Sequence, residues 1–342
     1  MLNTDLKIYL PETVNDLATN GGRMSTNLVV SGVVQNVWPH VPRAERTSGS
    51  KKYRKLFCKA ADDADGTLIA PQYWLDDVTA GDDWFTMFAG TMTDTLAAVT
   101  GWETGADTKR KYGVARLKTD AAAGSSTIVL QLESSTLGTG SDSIAVAGDT
   151  IRITDKLDPT AVTGNEEFLI ISSVSVADTE MTIVTTTALV NTYTTLALSR
   201  VSTVYEPGDV AASSGVPVVT SAAGTVDNAS YPPLLDNIGT IEQTVTLTFA
   251  DASNFTAISD VAGVTLTSGN ITTLYAPSNP GFTKPYFQLE VGFFGGTFTA
   301  GDTVVIAFHP AAIAVWEKRV VPAGAASQSN NKITLVMAGE SA

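Results

Sequence analysis

The residues from which catalysis would have to be built are few: two histidines, one cysteine and several pairs of neighbouring carboxylates. His40 follows Pro39 and His309 precedes Pro310. Neither lies in a His-Glu-x-x-His, Gly-x-Ser-x-Gly or Cys/His metal pattern, so both read as structural or surface residues. Asp76-Asp77, Asp82-Asp83 and Glu166-Glu167 are adjacent, so on strands their side chains point to opposite faces. A glycosidase needs two carboxylates facing each other across a cleft. Asp62, Asp63, Asp65 and Gly66 look like the opening of a calcium loop. The position of its closing glutamate falls on Tyr73 or Trp74, which cannot ligate bidentately, and a solvated turn is the expectation. Cys58 lies in the apolar run Leu56-Phe57-Cys58 and reads as a buried thiol. A single cysteine leaves no internal disulfide framework. The chain is therefore expected to be non-catalytic, with no cofactor and no metal.

Binding is the alternative to catalysis, and there the cations are informative. Arg43, Arg46, Lys51, Lys52, Arg54, Lys55 and Lys59 crowd into one short stretch, and Lys109-Arg110-Lys111 follows. Residues 1–118 hold 14 basic and 14 acidic side chains, while residues 119–342 hold 7 and 21, so the whole net charge of −14 belongs to the latter. Such asymmetry predicts two surfaces of different electrostatic character. The basic stretch is either a solvated strand or loop, or a docking surface for an acidic partner. Nucleic acid is not expected as a partner, because the molecule as a whole repels it. Trp38, Trp74, Trp84, Trp102 and Trp316 include several beside charges or prolines, where interface anchors are found, although core positions at strand ends account for most of them.

The elements that must position these residues read as β throughout. Hydrophobic residues make up 44% of the chain and charged residues only 16%, with Thr, Ser, Ala, Val and Gly filling the difference. Pro11–Ala18 predicts a turn or two of helix closed by Asn20-Gly21-Gly22. Strands are predicted at 27–34, 52–59, 84–92, 126–132, 149–154, 167–174, 180–184, 239–249, 286–289 and 302–308 from alternation and β-branched content. Composition shifts near 120 and 210 suggest three β-rich segments, 1–120, 121–210 and 211–342, the middle one a module inserted into or appended on the others. Small sandwiches or barrels are the expected architecture. Gly-Asp recurs at 81, 148, 208 and 301, which is turn grammar rather than a phosphate loop. The start carries no signal-peptide pattern and no apolar run approaches a membrane span, so synthesis in a reducing cytoplasm is expected, without membrane contact.

Three runs carry a resemblance. Gly148-Asp149-Thr150-Ile151-Arg152-Ile153-Thr154-Asp155 with Glu166-Glu167-Phe168, Asp236-Asn237-Ile238-Gly239-Thr240-Ile241-Glu242-Gln243, and Trp316-Glu317-Lys318-Arg319-Val320-Val321-Pro322-Ala323-Gly324-Ala325-Ala326 resemble structural virion proteins of contractile-tailed bacteriophages. The likeness covers about the last two thirds of the chain. It implies a place in the virion (neck or collar, tail, or baseplate) and assembly in many copies. The partners it implies are other copies of the chain and tube, sheath, connector or baseplate proteins. It supplies no catalytic residues. The competing reading is a virion-associated protein that binds or degrades carbohydrate.

Overall fold

The computed structural model describes residues 1–197 and 199–341. Strand makes up 42% of the chain and helix 6%, so the protein is all-β, built from several small β units. The one α-helix among the described residues, α1, runs Arg43–Ser48.

The first unit is an open half-barrel. β1 (Leu6–Thr13), β2 (Gly21–Leu28), β3 (Ser50–Ala60), β5 (Trp84–Ala89) and β6 (Tyr112–Leu117) are joined by a strand from the far end of the chain, Ala312–Val321, which lies between β3 and β5. The order is β2-β1-β3-(312–321)-β5-β6. A second late strand, Leu335–Ser341, pairs with β4 (Leu68–Leu75) as a two-stranded layer. The core between them includes Leu56, Cys58, Tyr73, Leu75, Met87 and Val315, with Leu335 and Met337 packed against it. Segment 211–342 is thus not one unit: its last two strands pair with strands of segment 1–120.

The second unit is a closed barrel. From β6 the sheet continues through β7 (Thr127–Gln131), β10 (Glu180–Thr185), β9 (Glu166–Ala177), β8 (Thr150–Thr154) and β11 (Arg200–Thr203). β11 pairs back onto β6, with Val201 opposite Ala115, and closes six strands. Alternation explains why. Ile128, Leu130, Ile151, Ile153, Ile171, Met181 and Ile183 are all buried inside, and closure leaves no open edge among these strands. β6 belongs to both units, so the middle module grows out of the half-barrel sheet.

The third unit is a sheet of Gln243–Phe249, Asn254–Ser259 and Thr303–His309 with short flanking strands. Val245, Leu247, Phe249, Phe255, Val304, Ile306 and Phe308 form its inner face. Phe298 stacks on Phe249 with centroids 3.9 Å apart.

Three local expectations are corrected. Pro11–Thr13 is strand, and Gly21 opens β2 instead of capping a helix. Its φ of 106° and the contact an added Cβ would make with Trp316 (2.9 Å) explain the glycine. Val29–Val34 is turn, with Gly32 at φ 79°. Residues 286–289 make isolated bridges, not a strand. The Gly-Asp grammar holds at 148 and 301: both glycines have φ of 93°. Asp149 accepts from Val146 N and Asp302 from Thr299 N, each at 2.8 Å. Gly81 lacks the positive φ of the other three.

Candidate functional site

The basic stretch begins on α1 and runs the length of β3. Each of its side chains was a candidate for docking, and the structure divides them. Arg54 is 5% exposed and Lys55, Lys59 and Lys111 are fully buried. These four do not form a surface. β3 has sheet neighbours on both edges and packed layers on both faces, so alternate cations point inward and are met by acids from distant segments.

On one face Lys55 Nζ lies 2.7 Å from Asp94 Oδ1 and donates to the carbonyls of Gly22 and Asp94. Beside it, Asp107 sits among Lys111, Lys318 and the Tyr53 hydroxyl, and Lys318 reaches Asp142 at 2.8 Å. Burial would raise the Asp107 pKa, but the hydrogen bond and charge of Lys111, aided by Lys318, hold it below the ordinary carboxylate value. Lys59 donates to the Ile238 carbonyl at 2.6 Å and lies over the Phe282 ring. Burial pushes its pKa down to about 7, only partly opposed by Asp236.

On the other face Trp38 is held between two guanidiniums, Arg54 at 5.1 Å and Arg319 at 4.8 Å from the ring. Its indole N–H donates to Glu317 Oε2 at 2.7 Å. Glu317 is 2% exposed, and burial pushes its pKa up to about 7 against that hydrogen bond. Lys52 pairs with Asp16 and Glu45, and Arg110 with Asp149. A separate cluster at the junction of β4 with the barrel places buried Asp76 between Arg152 and Arg200, with Glu166 on Arg152 and Lys156.

Arg43, Arg46, Lys51 and Lys109 remain. None enters an ion pair among the described residues. Lys51, whose Nζ donates to the Thr104 carbonyl, opens β3 directly after α1, and Lys109 lies in the connection that leads into β6. Arg43, Lys51 and Lys109 are exposed and Arg46 is half-buried. The ten candidate cations thus contract to four that are neither fully buried nor engaged in ion pairs among the described residues.

The other sequence candidates are also placed. Asp62 folds its own turn, accepting from Gly66 N at 2.9 Å, and no cluster of metal-ligating side chains occurs among the described residues. Cys58 is buried, with its thiol pKa pushed up by burial. His40 is exposed, and His309 Nδ1 lies 2.9 Å from Glu242 on an open sheet face. Trp316 and Trp74 are core residues. Asp107, Asp142 and the internal role of Glu317-Lys318-Arg319 escaped the sequence reading. Their signal was three consecutive charges inside an apolar strand run.

No family model, curated protein or solved structure matches the chain.

Proposed function

We propose that the protein is a non-catalytic structural component of a tailed-phage virion, assembling in multiple copies and contacting tube, sheath, connector or baseplate proteins. The observation that carries this reading is the division of its cations. Lys52, Arg54, Lys55, Arg110 and Lys111 are taken up in ion pairs within the molecule, while Arg43, Arg46, Lys51 and Lys109 enter none among the described residues of a molecule of net charge −14. Exposed cations without internal ion pairs on an otherwise acidic molecule suit docking against an acidic neighbour. There, complementary charge sets encounter and register more than affinity. The virion assignment itself rests on the sequence resemblance.

The test is mass spectrometry of purified particles followed by a cryo-electron-microscopy map. The expectation is a multi-copy chain whose Arg43–Lys51 segment faces an acidic surface. Absence from the particle removes the assignment, and a segment pointing into empty solvent in every copy removes the docking role. Release of oligosaccharide from host envelope polysaccharide, abolished by a single Asp or Glu substitution, would establish the competing enzymatic reading.

A further inference from the structure

Among the buried carboxylate oxygens of the described residues, one receives no hydrogen bond: Asp94 Oδ1. Lys55 Nζ lies 2.7 Å from it, but the approach is not along a hydrogen-bonding direction. The amine donates instead to the carbonyls of Gly22 at 2.7 Å and of Asp94 itself at 2.9 Å. The neighbouring cluster behaves differently. Both oxygens of Asp107 receive donors, from Lys111, Tyr53 and Lys318, so that carboxylate is fully used as an ion. Asp94 is not.

The Lys55–Asp94 contact is walled by apolar side chains and held from several sides. The Lys55 side chain is fully buried and that of Asp94 is 11% exposed. The rings of Phe57 and Trp316 stand 4.8 and 5.9 Å from Nζ. Trp316 is itself fixed, stacked on Phe88 and pressed against Gly21 and Gly90, where an added Cβ would come within 2.9 Å of the indole. Its N–H donates to Asp94 Oδ2 at 3.1 Å. The backbone of Asp94 is pinned as well, by Gly22 N on its carbonyl at 3.0 Å and by Thr91 Oγ1 on its N–H at 3.1 Å. Burial draws the Lys55 amine below its ordinary pKa, opposed by Asp94 and Glu12. Desolvation of this kind favours a neutral amine beside a neutral carboxyl over the ion pair.

We propose that Lys55 and Asp94 are joined by an isopeptide bond that the folded chain forms by itself. The amine attacks the Asp94 carboxyl carbon, a C–N bond forms and the C–Oδ1 bond breaks. Oδ1 leaves as water with two of the three ammonium protons, so nothing is oxidised or reduced and no co-reactant is needed. Oδ2 becomes the amide oxygen, and the charge it carries in the tetrahedral intermediate is met by the Trp316 N–H. The proton left on nitrogen keeps one of the two backbone carbonyls as its acceptor. Enforced proximity of nucleophile and carboxyl supplies the rate that the same groups lack in free solution. The product ties β3 to the connection that follows β5, across 39 residues of sequence. Unlike a disulfide, it persists in a reducing compartment. The inference stands apart from the virion assignment.

The test uses the full chain, purified and kept folded at neutral pH. Intact-mass spectrometry is expected to find it lighter than its sequence by one water. Chymotryptic digestion is expected to release a branched peptide containing Lys55 and Asp94, with tandem fragmentation placing the join at those two side chains. Asp94→Ala and Lys55→Arg are expected at their full sequence masses. Asp94→Asn forms the same amide with loss of ammonia, and is expected to reach the mass of the native chain. The native mass and the branched peptide need no variant, so a variant that fails to fold leaves the test intact. A native chain at its full sequence mass overturns the proposal. So does a loss of water that persists in Asp94→Ala, or one that maps elsewhere, such as a ring closed at Asp65-Gly66.

Discussion

Replacing Glu317 with glutamine should stabilise the protein at alkaline pH and leave it nearly unchanged in acid. Glu317 lies inside the sheet at 2% exposure, and burial raises its pKa to about 7 from an ordinary 4.5. The folded state therefore holds a proton that the unfolded state releases between those values. A raised folded pKa means that the contribution to stability is complete below about pH 4.5 and is lost as pH rises through 7. Above that, an ionised carboxylate sits in the core. The difference of about 2.5 pKa units corresponds to roughly 3 kcal/mol. Glutamine never ionises, and its carbonyl still accepts the Trp38 N–H. The groups facing Glu317 are Arg54, opposite on β3, and Arg319, two residues along its own strand. Arg54 is turned to the Asn15 and Tyr53 carbonyls and Asp16, and Arg319 to the Pro39 carbonyl. Thermal melts of both proteins from pH 4 to 9 should coincide below about pH 4.5, diverge between 4.5 and 7, and stay apart above that. With about 0.7 kcal/mol/K of unfolding entropy for a chain of this length, the separation reaches roughly 4 °C by pH 8.5. Titration of Lys59 is common to both proteins and cancels. A Glu317→Gln protein less stable by the same amount at every pH would refute this reasoning, because it would mean that the two arginines keep the carboxylate ionised.

Asp76→Ala leaves the Arg152 and Arg200 guanidiniums buried without their shared carboxylate, and urea titration should show a loss of about 3–5 kcal/mol. Glu167 accepts from the backbone N–H groups of Val190 and Asn191, and Glu167→Gln weakens these charge-assisted bonds. Hydrogen exchange at the Val190 and Asn191 amides should accelerate about tenfold, with little change in global stability. Trp38→Phe removes the donor to Glu317 and part of the arginine stack, for an expected loss of about 1–3 kcal/mol in the same titration.

The barrel strands were legible because each turns one face into a closed core. Ile128/Leu130, Ile151/Ile153 and Met181/Ile183 carry that pattern locally. β3 was harder because both its faces are covered, so Lys55 and Lys59 interrupt alternation without marking solvent. Their partners explain why sequence did not resolve them. Asp94 is 39 residues from Lys55, and Asp107 is 211 from Lys318, separations no local pattern encodes. The return of Ala312–Val321 to the middle of the first sheet is equally non-local. Val29–Val34 misled for the opposite reason: its β-branched composition is that of a strand, but Gly32 turns the chain.

One cluster of buried ion pairs lies where units meet, and that placement bears on their relative orientation. Asp76 on the β4 side holds Arg152 of β8 and Arg200 of β11 on the barrel side, while Lys59 of the half-barrel holds the Ile238 carbonyl of the third unit. Such pairs contribute little net stability compared with apolar residues of similar volume, because desolvation offsets their attraction. What they add is direction: a guanidinium–carboxylate contact accepts few geometries, whereas an apolar junction tolerates sliding. A repeating assembly needs that, since an angular error within one copy is multiplied around a ring. A triple replacement, Asp76→Leu, Arg152→Met and Arg200→Met, separates the two contributions. Its unfolding free energy should match or exceed that of the native protein. Small-angle scattering should meanwhile show a broader distribution of barrel orientations. An unchanged scattering profile would show that packing alone fixes the junction.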